Sequence, residues 1–220
     1  MVFRRQVFKW TGSGVWIIPY HTQFLYSPFT YSYYFDRFHI ALAIQYQKPL
    51  YLHLRNSHKC FTKMLEEETI SSVASAYGIS PLSSQDNNLS PTLTLREHLK
   101  GGSIRSVVHC FTGTVSELKY LVELDCYIGF TGHIFSLSDE AAKEMLQMVP
   151  LTRLVIETDA PYMGFKGCRE DEDKAKSRKY PNVPASLPKI ASRIAELLGV
   201  SYSSLCSQTT ANTIAFFKTM

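Results

Sequence analysis

From residue 35 onward the apolar positions alternate between two rhythms. Phe35, Phe38, Leu42 and Tyr46 recur at helical spacing, which predicts a helix over 35–47 that Lys48-Pro49 terminates. Leu50-Tyr51-Leu52-His53 is a short apolar run expected as a buried strand, and a helix over 59–76 is expected after it. Residues 78–102 are rich in Ser, Pro, Asn and Gly and are expected as an exposed loop. Further strands are predicted over 104–109, 126–130 and 151–157. The helices between them fall over 115–124, with Leu118, Leu121 and Val122 on one face, and over 138–149, with Met145, Met148 and Val149 inward. A mixed-charge loop runs over 168–179. Two helices follow, over 186–198 with Gly199 as the stop and over 201–217 with Ser201 as the N-cap. The order is one helix and then four β/α units. Near-continuous apolar strands between amphipathic helices indicate an α/β fold whose parallel sheet is covered by helices and is either open or closed into a barrel.

Residues 1–34 do not share this rhythm. The first 35 residues hold no Asp or Glu, three basic residues and twelve of the chain's 28 aromatics. Lys9 and Thr11-Gly12-Ser13-Gly14 break any apolar stretch of the kind a secretory signal needs, and the one strand expected there is Val15-Trp16-Ile17-Ile18. The Arg-containing, acid-free composition fits a mitochondrial targeting segment only in part, because no amphipathic helix is apparent. With 45% hydrophobic residues and 19% charged, the 220-residue chain can bury a core, which excludes wholesale disorder. No run of 18 apolar residues exists, so no conventional membrane span is expected. The net charge of +4 permits an anionic substrate without demanding one. Five scattered cysteines with no CxxC pair point to reduced thiols and an intracellular setting, cytoplasmic or nuclear.

The chemistry-bearing residues sit at the expected carboxyl ends of strands, where parallel α/β folds gather their sites. His53 ends one strand, His109 the next, and Asp159 lies just past the last. Two imidazoles and a carboxylate suit a divalent metal with open coordination positions, against the plainer reading of three satisfied polar residues. Glu157, two residues before Asp159, is either a buried carboxylate or the group that orients a ligand. Arg55 could pair with a phosphate or form a surface ion pair. Thr112-Gly113-Thr114 opens a helix and could offer N–H groups to an anion. His58, His98 and His133 are taken as surface or loop residues. No GxGxxG, Walker or GxSxG motif is present, which argues against nucleotide-binding modules and serine hydrolases.

Five segments carry a family resemblance. They are KPLYLHLRNSH (48–58), VVHCFTGT (107–114), YIGFTG (127–132), LVIETDAPY (154–162) and TTANTIAFF (209–217). In this order they resemble the TatD-related deoxyribonucleases over residues 35–220, with an inserted loop at about 70–102. The resemblance implies a (β/α)8 barrel, a divalent-metal site and hydrolysis of DNA phosphodiester bonds, often from a 3′ end. Carried over position by position, it makes His53, His109 and Asp159 metal ligands. It also implies that Asp159 helps orient the attacking water; from their own placement and chemistry, Glu157 joins Asp159 as a catalytic candidate, and Arg55, Thr112 and Gly113 are substrate-binding candidates.

The chain departs from the family pattern in three places. It contains no His-x-His, and no Glu precedes Glu66. Pro181-Asn182-Val183-Pro184 stands where the family has Arg-Asn-Glu-Pro, so Val183 replaces a Glu. Three of six ligand positions therefore survive. The expectation is a partial barrel with its fifth to eighth strands, holding at most one ion well: Mg2+ first, with Mn2+ or Zn2+ as alternatives. The alternative is a catalytically impaired relative that binds nucleic acid or a protein partner. A partial barrel also leaves sheet edges through which copies could self-associate.

Overall fold

A computed structural model describes residues 16–18, 37, 39–40, 42–43, 46, 48–78, 90, 92–102, 104–169 and 181–217. The expectations for most of residues 1–34, for the middle of the inserted loop (79–89) and for most of the loop at 168–179 lie outside the described residues. Contacts divide the chain into two units, Met1–Ser106 with Phe217–Met220, and Val107–Phe216.

In the first unit β1 (Trp16–Ile18) pairs in parallel with β2 (Leu50–Leu52), Trp16 opposite Leu50 and Ile18 opposite Leu52. Leu50 and Leu52 are buried, and the Leu50 N–H donates to the Arg105 carbonyl at 2.8 Å. The helical residues among 37–46 bury His39, Ile40 and Ala43, while Tyr46 is 55% exposed. The apolar face is thus rotated from the one that Leu42 and Tyr46 suggested.

The single helix expected over 59–76 is two, α1 (His58–Glu67) and α2 (Ile70–Ala76). Thr69 breaks it by forming a reciprocal cap: its hydroxyl accepts from the Ser72 N–H at 3.1 Å, and the Ser72 hydroxyl accepts from the Thr69 N–H at 2.9 Å. The expected exposed loop contains α3 (Leu95–Lys100), capped in the same way by Thr94 and Glu97. Helix α3 buries Leu95, His98 and Leu99. His98 is therefore not the surface residue expected. It is buried, and its Nε2 donates to the Ser90 carbonyl at 2.8 Å.

The second unit carries three parallel strands, β3 (Ser106–Val108, whose first residue falls in the other unit), β4 (Tyr127–Phe130) and β5 (Leu154–Ile156). Val108 lies opposite Ile128, and Gly129 opposite Val155. Between and after the strands come α4 (Val115–Glu123), α5 (Asp139–Met148), α6 (Leu187–Leu198) and α7 (Tyr202–Phe217). Helix α4 buries Leu118 and Leu121 as expected, with Val122 half-buried. Helix α5 buries Ala142 and Leu146, with Val149 just beyond it, and Met145 and Met148 are only half-buried. The alanine allows the close approach, so the contact stripe passes through it and not through the larger methionines. Gly199 ends α6 in the left-handed region at φ +67°, and the Ser201 hydroxyl caps α7 by accepting from the Ser204 N–H at 3.1 Å.

Helix α7 is bound to β5 by one buried side chain. The Asn212 amide donates to the carbonyls of Leu151 and Leu154, both at 2.7 Å. Asn212→Ala would leave two carbonyls without these donors, and it is expected to destabilise the protein by about 2–3 kcal/mol. A lower urea midpoint at unchanged denaturant slope would show it; an unshifted midpoint would show that the carbonyls find other donors.

Candidate active site

The carboxyl ends of β3, β4 and β5 converge on one cluster within the second unit. His109 and Cys110 follow β3, Thr131 follows β4, and Glu157 and Asp159 follow β5. The Glu157 N–H donates to the Phe130 carbonyl at 3.0 Å, so its backbone still continues the sheet ladder. Its side chain crosses over Gly129, where a Cβ would fall 2.1 Å from Glu157 Oε1. Only a residue without a side chain admits the carboxylate there.

That carboxylate has two partners. Glu157 Oε1 accepts the Cys110 N–H at 2.6 Å, and Oε2 pairs with His109 Nδ1. On the far side of the ring, His109 Nε2 stands 3.2 Å from Asp159 Oδ1. The imidazole is thus held between two acids, and all three side chains are only 15–21% exposed. Cys110 adopts φ +49° and Asp159 φ +55°, both in the left-handed region. Cys110 itself is buried, with Sγ 3.9 Å from Thr131 Oγ1.

The electrostatics follow from this geometry. Burial works against a charged His109 ring, but the hydrogen bonds and charges of Asp159 and Glu157 outweigh it and raise the ring from 6.5 to about 9. Burial, with the Asp159 charge added, pushes the Cys110 thiol up to about 12. In the metal-free protein the charged ring is stabilising. That contribution is fully present below about pH 6.5 and is lost as the pH rises through about 9. Thermal melts in chelator are expected to show a loss of at most about 3 kcal/mol across this window. The loss should be absent in His109→Gln; the same slope in that variant would assign it to another group.

A ring nitrogen of His109, a carboxylate oxygen of Asp159 and Cys110 Sγ lie within 4.8 Å of one another. This donor set fits a divalent cation through nitrogen and oxygen. The thiol, held protonated, is a poor third donor. Glu157 on Nδ1 fixes the ring so that Nε2 is the nitrogen presented, the arrangement that commonly orients metal-bound histidines.

Of the residues expected from the sequence, His109, Glu157 and Asp159 are together. His53 directly follows β2 in the first unit and is half-buried, and Arg55 is exposed two residues later. Thr112 and Gly113 lie half-buried in the stretch before α4. There Glu117 accepts the Thr114 N–H at 2.7 Å, so the helix supplies its own carboxylate to its first turn. His133, half-buried in the 3-10 segment Gly132–Ser136, is bonded to the Ser136 hydroxyl.

Two positioning features were not anticipated. One is the left-handed turn at Cys110, which aims its N–H at Glu157. The other is Asn182, whose amide donates to the Thr158 carbonyl at 2.6 Å and the Met163 carbonyl at 3.4 Å, holding the turn that carries Asp159. Asn182 lies in the Pro181-Asn182-Val183-Pro184 segment, next to the position where Val183 stands in place of a Glu.

Residues 34–218 match the model of a family described as TatD related DNase. The chain is 32% identical over 182 residues to the 3′-5′ ssDNA/RNA exonucleases TatD of Citrobacter rodentium and Escherichia coli K12. These matches cover 81% of this chain and 54% and 55% of those proteins, so the chain spans about half the length of the curated relatives it matches. Among solved structures, a TatD homologue from Escherichia coli K12 superposes with TM-score 0.53 at 23% identity, over 81% of this chain and 53% of the other. An uncharacterized amidohydrolase from Saccharomyces cerevisiae superposes with TM-score 0.62 at 20% identity, over 87% of this chain and 60% of the other. The fold is therefore the α/β class of these barrel proteins, present as a partial (β/α)8 barrel.

Proposed function

Because the chain belongs to the TatD-related DNase family, we propose that it is a divalent-metal-dependent hydrolase that cleaves phosphodiester bonds of DNA, shortening single strands from the 3′ end. The observation that carries this reading is the Glu157–His109–Asp159 clamp at the carboxyl ends of adjacent parallel strands. His109 presents Nε2 as a ligand, and Asp159 is the second ligand. Glu157 fixes the ring and its tautomer from behind. A divalent ion bound here would polarise a phosphoryl oxygen and acidify water. Asp159 orients the attacking water and accepts its proton. Thr112 and Gly113, in the stretch before α4 of the same unit, are the phosphate contacts of this reading. The carboxylate suits Mg2+ or Mn2+, and the imidazole nitrogen also admits Zn2+.

The test uses the full chain and a 5′-labelled single-stranded oligonucleotide. Progressive shortening from the 3′ end should require Mg2+ or Mn2+, stop in EDTA and resume when the ion is restored. A preparation that melts cooperatively but shows no metal-restored shortening would refute the hydrolytic reading.

A further inference from the structure

A groove of about 370 Å3 opens beside the Asp159 turn. Gly132 and Phe135, from the 3-10 segment after β4, form one wall; Met163, Phe165 and Lys166, from the stretch after β5, form the other. The Phe135 and Phe165 rings are stacked, with centroids 4.0 Å apart and planes within 7°. Phe165 is buried, whereas Phe135 remains 38% exposed. Phe165 therefore backs one face of Phe135, which lines the groove and keeps exposed surface. Glycine at 132 makes the packing possible: a Cβ there would fall 2.4 Å from the Phe165 ring and 2.4 Å from the Met163 carbonyl oxygen.

The groove is fixed to the same strand ends as the site. The Tyr162 N–H donates to the Asp159 carbonyl at 2.8 Å, which closes the turn leading to Met163. Asn182 bonds carbonyls on both sides of that turn, at Thr158 and Met163. On the other wall, Thr131 Oγ1 accepts the His133 N–H at 3.2 Å and lies 3.9 Å from Cys110 Sγ. Two cations are close: Lys166 is exposed in the groove wall, and the Lys189 ammonium donates to the Gly167 carbonyl one residue further on.

A backed aromatic ring, a volume within the range of ligand pockets and adjacent ammonium groups call for a flat ring joined to an anion. An unpaired nucleotide has both, whereas a duplex keeps its base faces stacked within itself. We propose that this groove takes a nucleobase next to the scissile phosphate, stacked on Phe135 with its phosphate at Lys166, so that Phe135 selects single strands. The proposal rests on the phosphodiesterase reading for its substrate.

Fluorescence anisotropy of a labelled single-stranded oligonucleotide with the full chain in EDTA reads binding without turnover. Phe135→Ala is expected to weaken binding by about five- to a hundredfold, and Phe135→Trp to retain it. Binding to a duplex of the same sequence should be weak and unaffected by either change. Lys166→Gln should reduce the slope of log affinity against log salt by roughly 0.7. A single strand carrying one abasic position, scanned along its length, should lose a similar factor to Phe135→Ala at one position with the unaltered protein; this arm decides the matter if Phe135→Ala fails to fold.

The proposal is overturned if the unaltered chain does not bind the strand. It is also overturned if Phe135→Ala folds and binds within about twofold of the unaltered chain, or if the abasic scan is flat. Phe135-dependent binding without metal-dependent turnover keeps the groove and refutes the hydrolase. Turnover with Phe135-independent binding does the reverse.

Discussion

Asp159→Asn and His109→Ala are each expected to lower metal-dependent nucleotide release by more than about 100-fold, whereas Glu157→Gln should cost about 10–100-fold. The ranking follows from what each side chain touches. Asparagine tolerates the left-handed backbone that residue 159 adopts, at φ +55°, so Asp159→Asn preserves the turn while removing one anionic donor. His109→Ala deletes the nitrogen ligand and leaves Glu157 Oε2 facing a gap. Glu157→Gln retains an oxygen for the Cys110 N–H and keeps the volume, but it loses the charge behind the imidazole. Initial rates at saturating Mn2+, with melting curves to confirm folding, give the order directly. An Asp159→Asn protein that keeps more than about a tenth of the parent rate would remove Asp159 from the chemistry.

Gly129→Ala should be strongly damaging, because the new methyl strikes the clamp itself. The new Cβ would sit 2.1 Å from Glu157 Oε1 and 3.1 Å from the Val108 carbonyl oxygen. Strand β4 is paired on both sides, with β3 and with β5, so its backbone cannot retreat. Glu157 must swing out, and then the Cys110 N–H and the His109 ring both lose their acceptor. The expected cost is about 3–5 kcal/mol, from one orphaned amide and one broken charge-assisted pair, with loss of the proposed hydrolytic activity at least as large as in Glu157→Gln. The mechanism makes a further demand. In a Glu157→Ala background the clash no longer exists, so Gly129→Ala should add little, and the double-mutant cycle should show strong coupling. Additive losses would mean that the methyl acts through the sheet and not through Glu157.

The strands and most helices of the second unit could be read from the chain because each has a local cause: apolar runs for β3 to β5, a glycine after α6, a serine before α7. The clamp was partly legible. His109 and Asp159 fall at strand ends, and the two-residue spacing of Glu157 and Asp159 suggested a ligand and its orienter. Longer-range effects were not legible. The need for glycine at 129 exists only because a side chain from β5 crosses β4. The left-handed turn at Cys110 is paired with a distant acceptor, Glu157, which takes its N–H. In the first unit, two Thr-based caps decided where helices stop and start. The Thr94-x-x-Glu97 cap was visible in principle, but the polar composition around it outweighed it in the reading of that stretch as loop.

Cys110 and Asp159 carry side chains in a backbone region that favours glycine, at a cost of about 1–3 kcal/mol each. They flank the same imidazole. The rim around His109 is therefore bent against its own preference and held from outside by the Asn182 amide, which bonds carbonyls on both sides of the Asp159 turn. Such a rim behaves like a drawn spring: when a distant tether slackens, the curvature around His109 relaxes first. The proposed activity should then fade under mild denaturing conditions while the surrounding helices still give a native spectrum.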